Sequence, residues 1–238
     1  MSKYPYGIIG NGTSIALVSK DDSIDWCCMP YFDSPSIFGK ILDKDKGGSF
    51  RIEGINTIKT HQVYVRYSPI LRTRVETADG VFDIYDFMPR FLMEGGNYYC
   101  PAEMQRNIRV ISGAPKIRIT IDLKPNYAIG GCKVENHREY LKFLSTDGEY
   151  HSFYLYTSLN FDAVIGSKDI ELPPMSYLVL SYHQKIRPMD YDRNYMEFER
   201  TKSYWLGWAY RTRLPPRNRD MVLRSMMTLK LLMYQRTG

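Results

Sequence analysis

The sequence predicts a mostly β protein, a large antiparallel β-sandwich with two helices after it. Hydrophobicity alternates with a period of two through most of the first 190 residues, and clusters of Gly, Asp and Pro punctuate the runs. After Pro188 the apolar spacing becomes helical. With 238 residues, 44% hydrophobic and 24% charged, the chain has the composition of a globular protein. A disordered tail, a collagen-like repeat and a disulfide-stapled miniprotein are excluded on that ground.

Strand patterns run over residues 15–18, 24–28, 50–52 and 62–67. Leu71, Thr73 and Val75 alternate with Arg72, Arg74 and Glu76; Asp79-Gly80 then turns the chain back into 81–87, which predicts a hairpin. Residues 104–111 follow, and 116–123 alternates cleanly, polar out and apolar in. Further strands are expected at 140–145, 153–157, 161–165 and 176–182, with turns at 45–48, 95–96, 130–131 and 147–148. Phe198, Thr201, Trp205 and Trp208 share one face of a first helix for which Asn194 is the expected cap, and Gly207 leaves its end open. Leu214-Pro215-Pro216 breaks it, and a second helix is expected from Arg217 to Tyr234.

That second helix carries ten apolar residues among fourteen, from Met221 to Tyr234 (MVLRSMMTLKLLMY), distributed all round its axis. A sandwich covers one face only. Leaving three or four large side chains uncovered forfeits about 5–10 kcal/mol, comparable to the stability of a whole domain. Another chain segment or a second copy is therefore expected to cover it.

The net charge of +6 is confined to the end of the chain. Residues 1–190 carry 22 basic and 22 acidic side chains, and residues 191–238 carry 10 and 4. This step suggests a boundary near residue 190. The basic stretch of Arg211, Arg213, Arg217, Arg219 and Arg224 flanks a Pro-Pro break without a nucleic-acid motif, so a linker or a protein interface is expected, and no nucleic acid. No apolar run reaches the roughly 18 residues of a membrane span. Residues 1–7 have no apolar core of a secretory signal, so a cytoplasmic protein with no membrane partner is expected.

Few residues point to chemistry. Cys27, Cys28, Cys100 and Cys132 lack CxxC spacing, and His61, His137, His151 and His183 lie far apart, so no metal or cofactor is expected. Asp21, Asp22 and Asp25 lack the Gly and Glu of a calcium loop. Gly7-Ile8-Ile9-Gly10-Asn11-Gly12 is out of register for a dinucleotide fingerprint and precedes the first clear strand pattern. Asp83 and Asp86 are the carboxylates to test as a glycosidase pair, but in a strand they point to opposite faces.

Residues 4–42, YPYGIIGNGTSIALVSKDDSIDWCCMPYFDSPSIFGKILD, carry a more specific pattern. Ile9-Gly10-Asn11-Gly12, Ala16-Leu17-Val18, Ser23-Ile24-Asp25-Trp26 and Pro30 through Phe38 resemble the opening signature of glycoside hydrolase family 15, the bacterial and archaeal glucoamylase and trehalase-like enzymes. Asp22 stands where that family usually has Gly. The resemblance continues through Arg66-Tyr67-Ser68-Pro69, Glu76 to Gly80 and Asp86-Phe87-Met88-Pro89-Arg90, and returns at Arg224-Ser225, Leu229 to Leu232, Tyr234 and Thr237-Gly238.

The resemblance implies an N-terminal antiparallel supersandwich (1–190), a helical linker (191–216) and the first helix of an (α/α)6 catalytic barrel (217–238). It implies an inverting enzyme, glucoamylase, α-glucosidase or trehalase in type, whose two catalytic Glu lie beyond the position matching Gly238. The chain alone is then expected to be inactive, with no catalytic residue of its own. Its implied partners are the barrel, in the same or a separate chain, or a second copy through Met221 to Tyr234. The substrate of the whole enzyme would be an α-glucan or α-glucoside. Trp26, Tyr31, Phe32 and Asp33 are the candidate border of the sugar site, having side chains suited to stacking on and hydrogen-bonding sugars. The alternative is that Trp26 and Phe32 are core and that Asp33 to Ser36 caps a short helix. Against the enzyme reading stands a stand-alone carbohydrate-binding or self-associating β-sandwich.

Overall fold

The computed structural model describes residues 5–186, 189–235 and 237. Pro188 and Gly238, landmarks above, lie outside them, as do the first four residues. In chain order the strands are β1 (Tyr6–Gly10), β2 (Ile15–Ser19), β3 (Ser23–Cys28), β4 (Ser36–Phe38), β5 (Phe50–Gly54), β6 (Thr57–Tyr64), β7 (Leu71–Thr77), β8 (Gly80–Phe87), β9 (Phe91–Leu92), β10 (Tyr98–Tyr99), β11 (Glu103–Gly113) and β12 (Lys116–Ile121). After the short α1 (Pro125–Ala128) come β13 (Cys132–Asn136), β14 (Leu141–Ser145) and β15 (Ser152–Thr157), then α2 (Phe161–Ile165), β16 (Asp169–Glu171) and β17 (Met175–Tyr182). Two longer helices follow, α3 (Tyr191–Arg211) and α4 (Arg219–Leu232).

These strands build the expected sandwich. One sheet has the order β1-β2-β3-β5-β12-β16, with β4 added on β3; the other runs β13-β14-β15-β17-β11-β8-β7-β6, and β9 and β10 form a separate small hairpin. All pairings are antiparallel. The inward rows interdigitate as one core, with Ile24, Phe50, Ile52 and Ile119 from the first sheet and Phe82, Ile84, Leu178 and Leu180 from the second. The β7–β8 hairpin forms where the alternation places it, with Thr77 opposite Gly80.

Three local expectations are corrected. Residues 161–165 form α2 and not a strand, because Asn160 accepts a hydrogen bond from the Ala163 N–H at 3.0 Å and caps a single turn. The Gly7–Gly12 stretch does not precede the first strand. Its first four residues lie in β1, paired from Tyr6–Ser19 to Gly10–Ile15, and Asn11-Gly12 opens the following loop. The cap of α3 is Asp190, whose side chain accepts from Arg193 N–H at 2.8 Å; Asn194 is buried one turn further in.

Between the sheets lies an ion pair. Asp86 and Arg106 sit on the inward faces of β8 and β11, directly opposite in register, and both side chains are fully buried. Arg106 Nε donates to Asp86 Oδ1 at 2.7 Å, and its Nη atoms donate to the carbonyls of Phe50 on the other sheet (2.6 Å) and of Asp22 in that sheet's β2–β3 turn (2.9 Å). Its guanidinium lies 4.9 Å from the Phe50 ring centroid. One side chain thus ties both sheets at once. Nearby, burial is the main cause holding the Asp22 carboxyl up to about 7, opposed by the charge of Arg106.

Helix α3 lies on the outer face of the second sheet. Thr201 and Trp205 are buried beneath it and the Phe198 ring meets those of Tyr85 and Phe87, as the helical spacing predicts. Polar groups hold its first turns: Asn194 donates to Gln105 Oε1 and Asn107 Oδ1, both at 2.9 Å, and Glu197 accepts from Gln105 and Arg193. Glu103, also facing α3, is almost wholly buried with no hydrogen-bond partner among the described residues. Burial and then the neighbouring Glu197 push its carboxyl up to about 8, against the pull of Arg193.

Two outcomes follow from these buried groups. Asp86→Asn leaves Arg106 as an uncompensated internal charge and should lower unfolding stability by about 3–5 kcal/mol, read from the urea midpoint. Glu103 has a folded-state pKa above its unfolded one, so its folded form binds the proton more tightly. Its contribution is complete below about pH 4.3 and is lost as pH rises through about 8. Glu103→Gln should therefore flatten the decline in melting temperature between pH 5 and 9, and an unchanged slope would contradict the assignment.

Candidate functional site

One end of the sandwich gathers the β1–β2 loop, the loop after β3, the segment from Met88 to Pro101 and the chain leaving α4. The β1–β2 loop is built on Asn11, whose Oδ1 accepts from Thr13 N (3.1 Å) and Thr13 Oγ1 (2.7 Å) while its Nδ2 donates to Pro101 O at 2.7 Å. Gly12 adopts φ +84°, and a Cβ there would lie 2.4 Å from Arg90 Nη1, so this position needs glycine for both conformation and space. Gly12 O accepts from Gln235 N at 2.7 Å, which fixes the segment after α4 against this loop.

Arg90 stands at the centre. It is only 2% exposed. Its Nη1 donates to Asn11 O, its Nη2 donates to Gln235 Oε1, and its backbone N–H donates to Thr201 Oγ1 of α3 at 3.2 Å. The guanidinium sits 4.9 and 5.2 Å from the ring centroids of Tyr98 and Tyr204. The Tyr204 phenol is raised by burial, with Arg90 acting in the opposite sense; Lys230 is lowered by burial and then by Arg90. One residue therefore joins two sandwich loops, the middle of α3 and the segment beyond the end of α4.

The predicted sugar-border residues separate into two places. Tyr31 and Phe32 lie beside this hub, where their rings meet the Tyr234 ring edge-on at 5.8 and 6.2 Å between centroids. Asp33 is exposed in the adjoining turn, closed by Ser34 Oγ accepting from Tyr31 N at 3.1 Å. No short helix forms at residues 33–36, which turn and enter β4. The Cys28 thiol is pushed up to about 11, first by burial and then by the Asp33 charge. Trp26 stays on β3 opposite Leu17, half-buried, and no ring contact joins it to Tyr31 or Phe32 among the described residues. Sequence reasoning did not single out Arg90, Tyr98, Tyr204 and Gln235. Arg90 stood inside a motif, but its partners come from chain positions 11, 98, 201, 204 and 235, which no local pattern links.

The two carboxylates that the sequence offered as a pair are each bound by an arginine. Arg74 binds Asp83 through two hydrogen bonds of 2.7 and 2.8 Å, and Arg106 binds Asp86 on the opposite face, so these carboxylates do not flank one bond. Glu103 and Glu197 lie close together under α3 and line none of the larger cavities. Among the described residues no group of three His, Cys, Asp or Glu converges to hold a metal ion, and no helix is long and apolar enough to cross a membrane.

These elements define a two-sheet antiparallel sandwich tied to its own helical extension. Residues 5–154 match the family described as trehalase-like, N-terminal, and the chain belongs to that family. It is 33% identical to a trehalase of Thermoplasma volcanium over 98% of its own length and 38% of that protein. A trehalase of Thermoplasma acidophilum is 34% identical over 93% of the chain, and one of Mycobacterium tuberculosis 24% over 98%. The chain thus spans a little under two-fifths of the length of these curated relatives.

Replacing Arg90 with Met should loosen the helical extension while leaving the sandwich intact. Amides of α4 and of residues 234–235 should exchange at least tenfold faster by hydrogen exchange, with those pairing β11 to β17 unchanged. Uniform protection in all elements would show that Arg90 is not the tie.

Proposed function

We propose that this chain is the non-catalytic sandwich domain of a family 15 glycoside hydrolase that hydrolyses trehalose, bracing an inverting (α/α)6 barrel which supplies both catalytic Glu. On this reading residues 1–190 are the sandwich, 191–216 the linker and 217–238 the first barrel helix. The observation that carries it is the Arg90 hub, which ties α3 and the segment leaving the end of α4 to the sandwich loops. Helix α4 buries only Leu223, Met227 and Leu231 against the rest of the chain. Met221, Leu229, Leu232 and Met233 are exposed on its other sides, an apolar surface suited to neighbouring barrel helices. In the absence of a barrel, a second copy of the chain would be the occupant of the same surface.

Trehalose is preferred over starch-type glucans because the relatives above carry the name trehalase. Tyr31, Phe32 and Asp33, on the loop beside Tyr234, remain the candidate border of the substrate entrance, whereas Trp26 on the strand has the weaker claim. The committed state of Asp83 and Asp86 supports an inactive isolated chain.

The test measures glucose release from trehalose, maltose and maltotriose by the 238-residue chain and by the complete native protein that contains it, with any chain that copurifies. The expected result is release from trehalose by the native protein and none by the chain alone. Action on maltotriose and not trehalose would replace the trehalase assignment by a glucoamylase one. Hydrolysis by the 238-residue chain alone would overturn the scaffold reading.

A further inference from the structure

A cavity of about 470 Å³ lies between α3 and the outer face of the second sheet, well away from the Tyr31–Tyr234 cluster. Its volume is in the usual range for a small-molecule site. The sheet contributes Val63, Arg72, Tyr85, Asn107 and Arg109 to it, and α3 contributes Tyr195, Phe198 and Lys202 among others. Register explains this grouping. Val63 pairs with Arg72, Arg72 with Tyr85 and Tyr85 with Asn107, which places one row across four strands. Arg109 stands two residues beyond Asn107 on the same face. The Cα atoms of Arg72 and Arg109 are then roughly 12 Å apart, from two strand spacings and one two-residue step. Two long side chains can close on one small group across that span.

The charges of this cavity do not cancel. Arg72 and Arg109 form no ion pair among the described residues, and Arg72 Nε is a buried donor without a partner. Arg66, also lining the cavity, donates to the Tyr67 hydroxyl and meets no carboxylate among the described residues. The carboxylate lining the cavity, Glu199, is held by Lys202 at 3.2 Å, and neighbouring Asp83 is held by Arg74. Three guanidinium groups are thus gathered over a partly enclosed surface with no salt bridge to any of them among the described residues, the nearby carboxylates being held by Lys202 and Arg74, an arrangement that favours an anion. Planar guanidinium forks suit phosphate oxygens in particular.

The remainder of the cavity suits the body of a sugar. Tyr85, Tyr195 and Phe198 present aromatic rings. Asn107 Oδ1 is used by Asn194, which leaves the Asn107 amide NH2 as an unspent donor. We propose that this cavity is a binding site for a monosaccharide phosphate, its phosphate held by Arg72 and Arg109 and its sugar ring lying against the aromatic wall formed by Tyr85, Phe198 and Tyr195. The proposal is independent of the scaffold reading, since it rests on residues that the Arg90 hub does not touch.

Isothermal titration of the 238-residue chain with glucose 6-phosphate, glucose and inorganic phosphate tests it. Glucose 6-phosphate should bind saturably, at least tenfold more tightly than either part alone. Arg109→Gln, an exposed position where folding is not at risk, should weaken it about tenfold or more, consistent with the loss of one charge-assisted hydrogen bond. Arg118→Gln, an equally exposed arginine paired with Asp169 on the other sheet, should leave it unchanged. Glucose 6-phosphate should also raise the melting temperature in wild type and not in Arg109→Gln, because α3 forms one wall of the site. Absence of saturable binding, equal binding by Arg109→Gln, or equal affinity for inorganic phosphate and glucose 6-phosphate would each overturn the proposal.

Discussion

The buried guanidinium of Arg106 constrains how the two sheets can meet. A charge at the centre of a sandwich is costly unless every donor is placed. Here Asp86 supplies the carboxylate from the neighbouring strand, and the carbonyls of Phe50 and Asp22 supply acceptors from the opposite sheet and its β2–β3 turn. A one-residue slip between β8 and β11 would carry one member of the pair to the outer face and leave the other alone. The ion pair therefore fixes the register of the central strands and the approach of the sheets together. The apolar rows of Phe82, Ile84, Leu178 and Leu180 contribute the burial, and the ion pair selects one alignment of it.

With the sheets fixed, the outer face of the second sheet becomes a platform for α3. Gln105 and Asn107, alternating with Arg106 on β11, are turned outward because Arg106 is turned inward, and they receive Asn194 and Glu197 of the helix. The helix then passes Thr201 and Tyr204 under Arg90, the second buried cation, which carries the connection on to the chain after α4. The two arginines play complementary parts: Arg106 joins sheet to sheet, and Arg90 joins sandwich to helices. The same geometry leaves a gap beside α3, where Arg72 and Arg109 of the sheet form no ion pair among the described residues.

Period-two alternation was enough to place most strands, because one face of each is buried in a common core and the other meets solvent or a helix. The spacing of Phe198, Thr201, Trp205 and Trp208 showed which face of α3 turns inward, and the all-round apolar pattern of residues 221–234 is matched by the exposure of Met221, Leu229 and Leu232 on α4. Residues 161–165 misled because five apolar-rich residues fit a strand or a helical turn, and the cap at Asn160 decides between them. The Asp83–Asp86 spacing told correctly that the two carboxylates face opposite ways, but it did not name their arginine partners.

What the sequence by itself determined is therefore the class of fold, the position of most of its strands and of its two long helices, and a family signature concentrated in residues 4–42 and 86–90. These are local properties, carried by period, turn chemistry and contiguous motif. Only the tertiary structure decided which charges are neutralised and which are left free, since each such contact joins residues far apart in the chain: Arg106 to Asp22, Arg90 to Asn11 and Gln235, Tyr31 to Tyr234. Strand order and helix docking set those meetings, and neither is written in any single stretch of sequence.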